Sequence, residues 1–315
     1  MAYLFVYFTM NGAEDEETVW FSISQDGLHW KDLGNGPVLR SHVGTKGIRD
    51  PFVVFDERQK KYFMVATDLN TGCGYRWEDA AHRGSRCLLT WESEDLIHWS
   101  DARLIEVGVE GAGCVWAPEA VYSAEQHAWF VFWASMVQEP GDPEPKHRIY
   151  GAFTKDFLYF SPAFKYIEAE SHIIDTDIVY DGGWYYRFSK DETTKSILLE
   201  RCRRLIPQAG ECFRRIPCPL LDGWEGLEGP AAYYLERERK WCLLVDQYRI
   251  RGGYLPLVSD DLASGNWEVL PEDAYDLGRR VKRHGGILPI PEALAARLSA
   301  HYGIAENQGA VSPTK

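Results

Sequence analysis

Four short segments of this chain each set an acidic side chain at or near the start of an apolar run. They are Arg49-Asp50-Pro51-Phe52-Val53-Val54, Trp116-Ala117-Pro118-Glu119-Ala120-Val121-Tyr122, Ile174-Asp175-Thr176-Asp177-Ile178-Val179-Tyr180 and Glu228-Gly229-Pro230-Ala231-Ala232-Tyr233-Tyr234. A fifth, Arg283-His284-Gly285-Gly286-Ile287-Leu288, carries a histidine. Carboxylates brought to one place raise one another's pKa, so structural need does not explain gathering them; acid/base chemistry or a metal does. Each residue alone has a plainer reading. Asp50-Pro51 and Glu228-Gly229-Pro230 read equally as turn acids, Asp175 as an acceptor for a backbone amide, and His284 as a satisfied histidine beside two glycines. Their recurrence at one phase of a repeat favours function, with three acids expected at the same place in three units. Asp177 is expected to face away from Asp175 or to support it from behind, and Glu119 stays open.

The elements that must position these residues are short strands. After each of the first four segments a second aromatic strand follows: Tyr62-Phe63-Met64-Val65, Trp129-Phe130-Val131-Phe132-Trp133, Trp184-Tyr185-Tyr186-Arg187-Phe188 and Trp241-Cys242-Leu243-Leu244-Val245. Polar or glycine turns such as Tyr180-Asp181-Gly182-Gly183 separate the pairs, which is hairpin chemistry. A second motif keeps the same phase: Ser24-Gln25-Asp26 to Trp30, Ser93-Glu94-Asp95 to Trp99, Thr154-Lys155-Asp156 to Phe160, and a stretched copy from Ser259 to Trp267. The gap between the last two is wide enough for one more, degenerate copy. Two interleaved motifs at this period predict an all-β fold, a five-bladed β-propeller. The fifth opener lacks following strands, whereas Ala2–Phe8 and Val19–Ser24 lack an opener. The last blade is therefore expected to combine the N-terminal strands with the C-terminal inner strand, which removes an open sheet edge. Residues 1–291 read as a single propeller domain and 292–315 as a short helix and loose tail. In a propeller the openers line the central axis, so Asp50, Glu119, Asp175, Glu228 and His284 should share one pocket.

Hydrophobic residues form 45% and charged residues 26% of the sequence, enough to bury a core. The aromatic content of 14% suits both strand packing and recognition of sugar rings. A net charge of -13 argues against nucleic acid or an anionic membrane as partner. Seven cysteines without metal-ligand spacing read as reduced thiols of a cytoplasmic protein. The opening Met1–Met10 segment lacks a basic region and a cleavage site and reads as a strand.

The openers resemble glycoside hydrolase family 43, whose members are five-bladed propellers that remove arabinose, xylose or galactose. Asp50-Pro51-Phe52-Val53 is similar to the family's base strand, Trp116–Glu119 to its Trp-Ala-Pro-acid strand, Ile174–Asp177 to its second-Asp strand, Glu228-Gly229-Pro230 to its Glu-Gly-Pro motif, and His284 to a pocket histidine. Thr176 stands where proline is common, and a strand pair precedes Asp50, which differs from many members. The resemblance covers residues 2 to about 290. It implies inversion at the anomeric carbon, with Asp50 as general base, Glu228 as general acid and Asp175 as the group that raises and orients Glu228. It further implies that Trp116, Glu119 and His284 bind substrate, with Arg76 and Trp77 at the rim. No cofactor or metal is required, although a water or a divalent cation such as calcium has a place beside His284. The expected substrate is a short plant-derived oligosaccharide trimmed from its end, an α-L-arabinofuranoside ahead of a β-xyloside. Two alternatives stand beside this: a retaining fructan- or sucrose-type propeller, suggested by Arg49-Asp50-Pro51, and a sugar-binding propeller without turnover.

Overall fold

A computed structural model describes residues 1–10, 15–72 and 76–305. The strands in chain order are β1 (Ala2–Phe8), β2 (Trp20–Ser24), β3 (Trp30–Asp32), β4 (Ile48–Asp56), β5 (Lys61–Asp68), β6 (Cys87–Ser93), β7 (Arg103–Glu106), β8 (Trp116–Ser123), β9 (Ala128–Val137) and β10 (Lys146–Thr154). They continue with β11 (Phe164–Ile167), β12 (Ile173–Asp181), β13 (Trp184–Asp191), β14 (Ser196–Cys202), β15 (Arg214–Ile216), β16 (Glu228–Leu235), β17 (Lys240–Asp246), β18 (Tyr254–Ser259), β19 (Glu268–Val269) and β20 (Arg283–Ile290). The described residues also form three α-helices, α1 (Trp77–Arg83), α2 (Pro219–Asp222) and α3 (Glu292–Tyr302), and two short 3-10 turns at Leu262–Ser264 and Glu272–Ala274.

These strands form five antiparallel four-stranded sheets: β4-β5-β6-β7, β8-β9-β10-β11, β12-β13-β14-β15, β16-β17-β18-β19 and β20-β1-β2-β3. The inner strands β4, β8, β12, β16 and β20 each pack on the next, closing a ring. The fifth sheet joins the two ends of the chain, with Leu4 opposite Leu288 and Phe5 opposite Ile287. The architecture is the five-bladed propeller expected, closed as expected.

Alternation along the strands explains the core. In β1, Leu4 and Val6 face one inter-blade cluster with Met64 and Trp91, while Tyr3, Phe5 and Tyr7 face another with Tyr233 and Leu244. In β5, Met64 and Phe63 divide between two clusters in the same way. The inner layers of each sheet are covered on both faces, so β1 and β9 are buried along their whole length, whereas the outer strands β7 and β11 bring exposed residues to the surface. Helix α3, the short helix foreseen after Pro291, sets Leu294, Ala295 and Leu298 onto the junction of the first and last blades. The tail expected beyond it lies, for 306–315, outside the described residues.

The Ser/Thr-x-Asp motif is turn machinery between the third and fourth strands. Asp26 Oδ1 accepts the backbone N–H groups of Leu28 and His29, each at 2.8 Å, and Asp95 and Asp156 repeat the pattern. In the third blade Cys202-Arg203-Arg204-Leu205 occupies this place without the aspartate, and is the degenerate copy.

Candidate active site

Every inner strand carries the same irregularity at its top: two of its residues oppose one on the neighbouring strand. The pairs are Asp50-Pro51, Ala117-Pro118, Asp175-Thr176, Gly229-Pro230 and His284-Gly285. The first member is left-handed in four blades, with φ of 49° at Asp50, 48° at Ala117, 48° at Asp175 and 51° at Gly229. Such bulges bend a strand and re-aim its side chains, and left-handed aspartate is tolerated at a modest energetic cost. Gly229 is needed for a second reason, because a Cβ there would lie 2.8 Å from the His284 ring.

The repeat sorts the openers into tiers. Arg49, Trp116, Ile174, Glu228 and Arg283 precede the bulge; Asp50, Asp175 and His284 begin it; Glu119 and Asp177 follow it. The expectation of three acids at one position is thus corrected. Asp50 and Asp175 are equivalent, and Glu228 stands one residue earlier. The first two tiers line a cavity of about 570 Å³ that includes Asp50, Asp175, Glu228, His284 and Trp116.

His284 Nδ1 lies 3.6 Å from Asp50 Oδ1 and 3.7 Å from Asp175 Oδ1. Asp50 Oδ2 accepts the Thr67 hydroxyl at 2.7 Å, and Thr67 Oγ1 in turn accepts the Ala117 N–H at 2.8 Å. Asp175 Oδ2 accepts the Gly229 N–H at 3.1 Å. Both oxygens of Glu228 meet cations: Lys190 Nζ at 2.9 Å and Arg283 Nη2 at 2.8 Å. Lys190 also pairs with Glu192 at 2.7 Å, and Arg283 with the buried Asp246 at 2.5 Å.

These surroundings separate the carboxyls electrostatically. Burial raises Asp175 to about 6, with Glu228 and Asp50 adding to the rise and His284 and Lys190 opposing it. Burial alone would also raise Glu228, but Lys190 and Arg283 outweigh it and hold that carboxyl below its ordinary value. The resemblance implied the reverse order. Of the two, Asp175 takes up a proton the more readily as pH falls towards 6, because Glu228 received both cations.

Glu119 does not line the cavity. It is buried one tier lower beside Asp177, at the equivalent position of the adjacent blade, and burial followed by Asp177 pushes it well above its usual range. Asp177 is raised to about 6 by burial and accepts the Ala232 N–H at 2.7 Å. Trp77 lines the cavity, edge-on to Trp116 at 6.2 Å. Arg76 does not reach it; that side chain is exposed and pairs with Glu78 and Asp79. Trp77 opens α1, where Ala80 and Ala81 are buried and Asp79 pairs with Arg83. Beside His284, as elsewhere among the described residues, no three His, Cys, Asp or Glu side chains are arranged to hold a metal ion.

Sequence reasoning missed Lys190, Arg283, Arg49 and Thr67. Arg49 and Arg283 directly precede Asp50 and His284, so the phase of the repeat could have found them. Thr67, Lys190 and Asp246 share one position on their second strands, opposite Arg49, Ile174 and Glu228.

A family model described as "Probable glycosyl hydrolase domain", related to glycoside hydrolase family 43, matches residues 1–295. The chain belongs to this family. An α-L-arabinofuranosidase of Bifidobacterium longum subsp. longum is 30% identical over 287 residues, covering 78% of this chain and 26% of that protein. The chain thus spans about a quarter of that relative's length. An endo-1,4-beta-xylanase from Bacteroides thetaiotaomicron superposes with a TM-score of 0.56 at 13% identity, covering 90% of this chain and 93% of that one. The catalytic domain of a Coprinopsis cinerea GH62 α-L-arabinofuranosidase gives 0.54 at 15% identity, covering 81% and 77%. At these identities the structures share the family's propeller fold with this chain.

Proposed function

We propose that the chain is an exo-acting, inverting glycoside hydrolase that releases terminal pentose from oligosaccharides, an α-L-arabinofuranosidase ahead of a β-xylosidase. The observation that carries this is the convergence of Asp50, Asp175 and Glu228, from three separate inner strands, on one cavity around His284. The arabinofuranosidase activity named for the Bifidobacterium relative supports the choice of sugar. In this reading Asp50, held by Thr67, deprotonates the attacking water. Glu228 protonates the leaving oxygen, and Asp175 orients the pair. Inversion requires room for water between base and sugar, with the two carboxyls roughly 6.5–9.5 Å apart. Because Lys190 and Arg283 hold Glu228 ionised, substrate entry must loosen at least one of these ion pairs before Glu228 can act as an acid. We further propose that the thiols belong to a cytoplasmic enzyme meeting short oligosaccharides.

Hydrolysis of 4-nitrophenyl α-L-arabinofuranoside and β-D-xyloside, followed by proton NMR of the first sugar released, tests the proposal. An inverted anomer is expected; a retained anomer would reject the inverting mechanism and favour the fructan-type alternative. A second reading, a sugar-binding propeller without turnover, draws on the saturation of both Glu228 oxygens by cations. Sugar binding with no hydrolysis of any pentoside or galactoside would establish it.

A further inference from the structure

The cavity wall beside Trp116 carries a polar atom that none of the described residues satisfies. His147 stands near the start of β10, opposite Met136 of β9. Trp116 pairs with Ala134, and Ala134 with Ile149, so strand alternation puts His147 and Trp116 on the same sheet face. Their rings lie 5.4 Å apart with 33° between planes. On the other side His172 closes the site: its ring is 5.8 Å from that of His147, and its Nδ1 accepts the His147 backbone N–H at 3.3 Å. His147 is 6% exposed and its ring lines the cavity, while its Nε2, shielded from solvent and reached only by a small turn of the ring, has no hydrogen-bond partner among the described residues. Buried polar atoms left unpaired are uncommon, and each destabilises the chain until a partner arrives.

The chemistry of that missing partner is constrained. Burial, assisted by His172, pushes the His147 imidazole down to about 3, so the ring is neutral across the working range. A neutral imidazole nitrogen offers one uncharged hydrogen bond, as donor or acceptor by tautomer. An indole face beside it suits the apolar face of a sugar ring. A hydroxyl on that ring satisfies both groups together, whereas a carboxylate or an ammonium gains no charged partner from His147.

We propose that His147 reads one hydroxyl of the sugar seated against Trp116 and so determines which sugars the cavity accepts. The inference rests on the carbohydrate reading above and is independent of turnover. A site that hydrogen-bonds a hydroxyl rejects the analogue lacking it, because its own polar atom is then stranded.

Calorimetric binding of L-arabinose, D-xylose and the monodeoxy forms of each, to the wild type and to His147→Phe and His147→Gln, tests this. In the wild type one monodeoxy form binds roughly 10- to 100-fold more weakly than its parent. His147→Phe, which keeps a ring against Trp116, lowers the parent to the level of that analogue and leaves the analogue unchanged. His147→Gln, which restores a polar end, recovers part of the discrimination and carries the comparison should the Phe variant fold poorly by circular dichroism. Discrimination that persists undiminished in both variants, or weakening of parent and every analogue alike, overturns the inference while leaving the hydrolase reading intact. A wild type that binds none of these sugars removes both.

Discussion

Asp50 and Asp175 flank one imidazole, with His284 Nδ1 3.6 Å from the first carboxyl and 3.7 Å from the second. Strands from three blades meet there, and His284 bears on the charge of Asp175 by opposing the burial that raises it.

Replacing His284 should therefore act on Asp175 in a defined direction. His284 opposes the burial that raises Asp175 to about 6, so in His284→Asn that carboxyl titrates higher still. Carbon NMR of labelled aspartate carboxyls reads the shift. Activity falls roughly 10²-fold from lost alignment. Titration of Asp175 at lower pH in the variant would show that His284 does not stabilise its charge.

The leaving group distinguishes the acid. If Glu228 donates the proton, Glu228→Gln slows sugar-leaving substrates by roughly 10²–10⁴-fold but spares dinitrophenyl glycosides, whose leaving group needs no proton. Lys190→Met removes one of the two cations on Glu228, raises its pKa, and moves the alkaline limb of the kcat/KM profile to higher pH. A leaving-group dependence found in Asp175→Asn and absent from Glu228→Gln would transfer the acid role to Asp175.

Asp175 should also weaken the fold at neutral pH. Its folded pKa of about 6 lies above the ordinary 3.8, so the folded chain binds more protons in that window. Stability contributed by the protonated form is therefore lost as pH rises from about 4 to 6, and the deficit is complete above it. Asp175→Asn should raise unfolding stability at pH 7 by on the order of 2 kcal/mol, with the gain vanishing below about pH 4, while activity is lost. Urea unfolding at both pH values measures it; an unchanged or lower stability at pH 7 contradicts the burial argument.

Ring closure has an ionic anchor. Asp32, at the end of β3, receives Lys282 at 2.7 Å, Ser22 at 2.6 Å and the Arg279 and Arg280 N–H groups from the segment leading into β20. Burial alone would raise Asp32, but Lys282 and the other donors outweigh it and bring it to about 2. This stabilisation is full above about pH 4 and is lost as pH falls through 2. Asp32→Ala leaves the buried Lys282 uncompensated and should cost about 3–5 kcal/mol in urea unfolding at pH 7; a loss below 1 kcal/mol would show the pair to be dispensable.

Much of the fold was legible because it is written in local chemistry. Asp26 and Asp95 announce their turns by binding backbone two and three residues on, and the partnerless strands Ala2–Phe8 and Val19–Ser24 identify the closing blade. The cavity acids were legible as a group because the openers recur in phase. The tiers were not, since the two-against-one bulge is a property of pairing; its result, that Glu119 and Asp177 share a buried layer below Asp50, needs both strands in register.

The three acids carried by the openers are thus set by sequence, as are the four opener hairpins and the partnerless terminal strands that complete the fifth blade. Periodicity, turn residues and the absence of partners for the terminal strands are all local features, and they suffice for a propeller. Which carboxyl binds a proton more readily was decided by tertiary structure alone. Lys190 and Arg283 reach Glu228 from 38 and 55 residues away, and Asp175 is left to burial with its like-charged neighbours. Protonation follows the cost of burying a charge against the nearness of an opposite one, and both quantities exist only after the blades have packed.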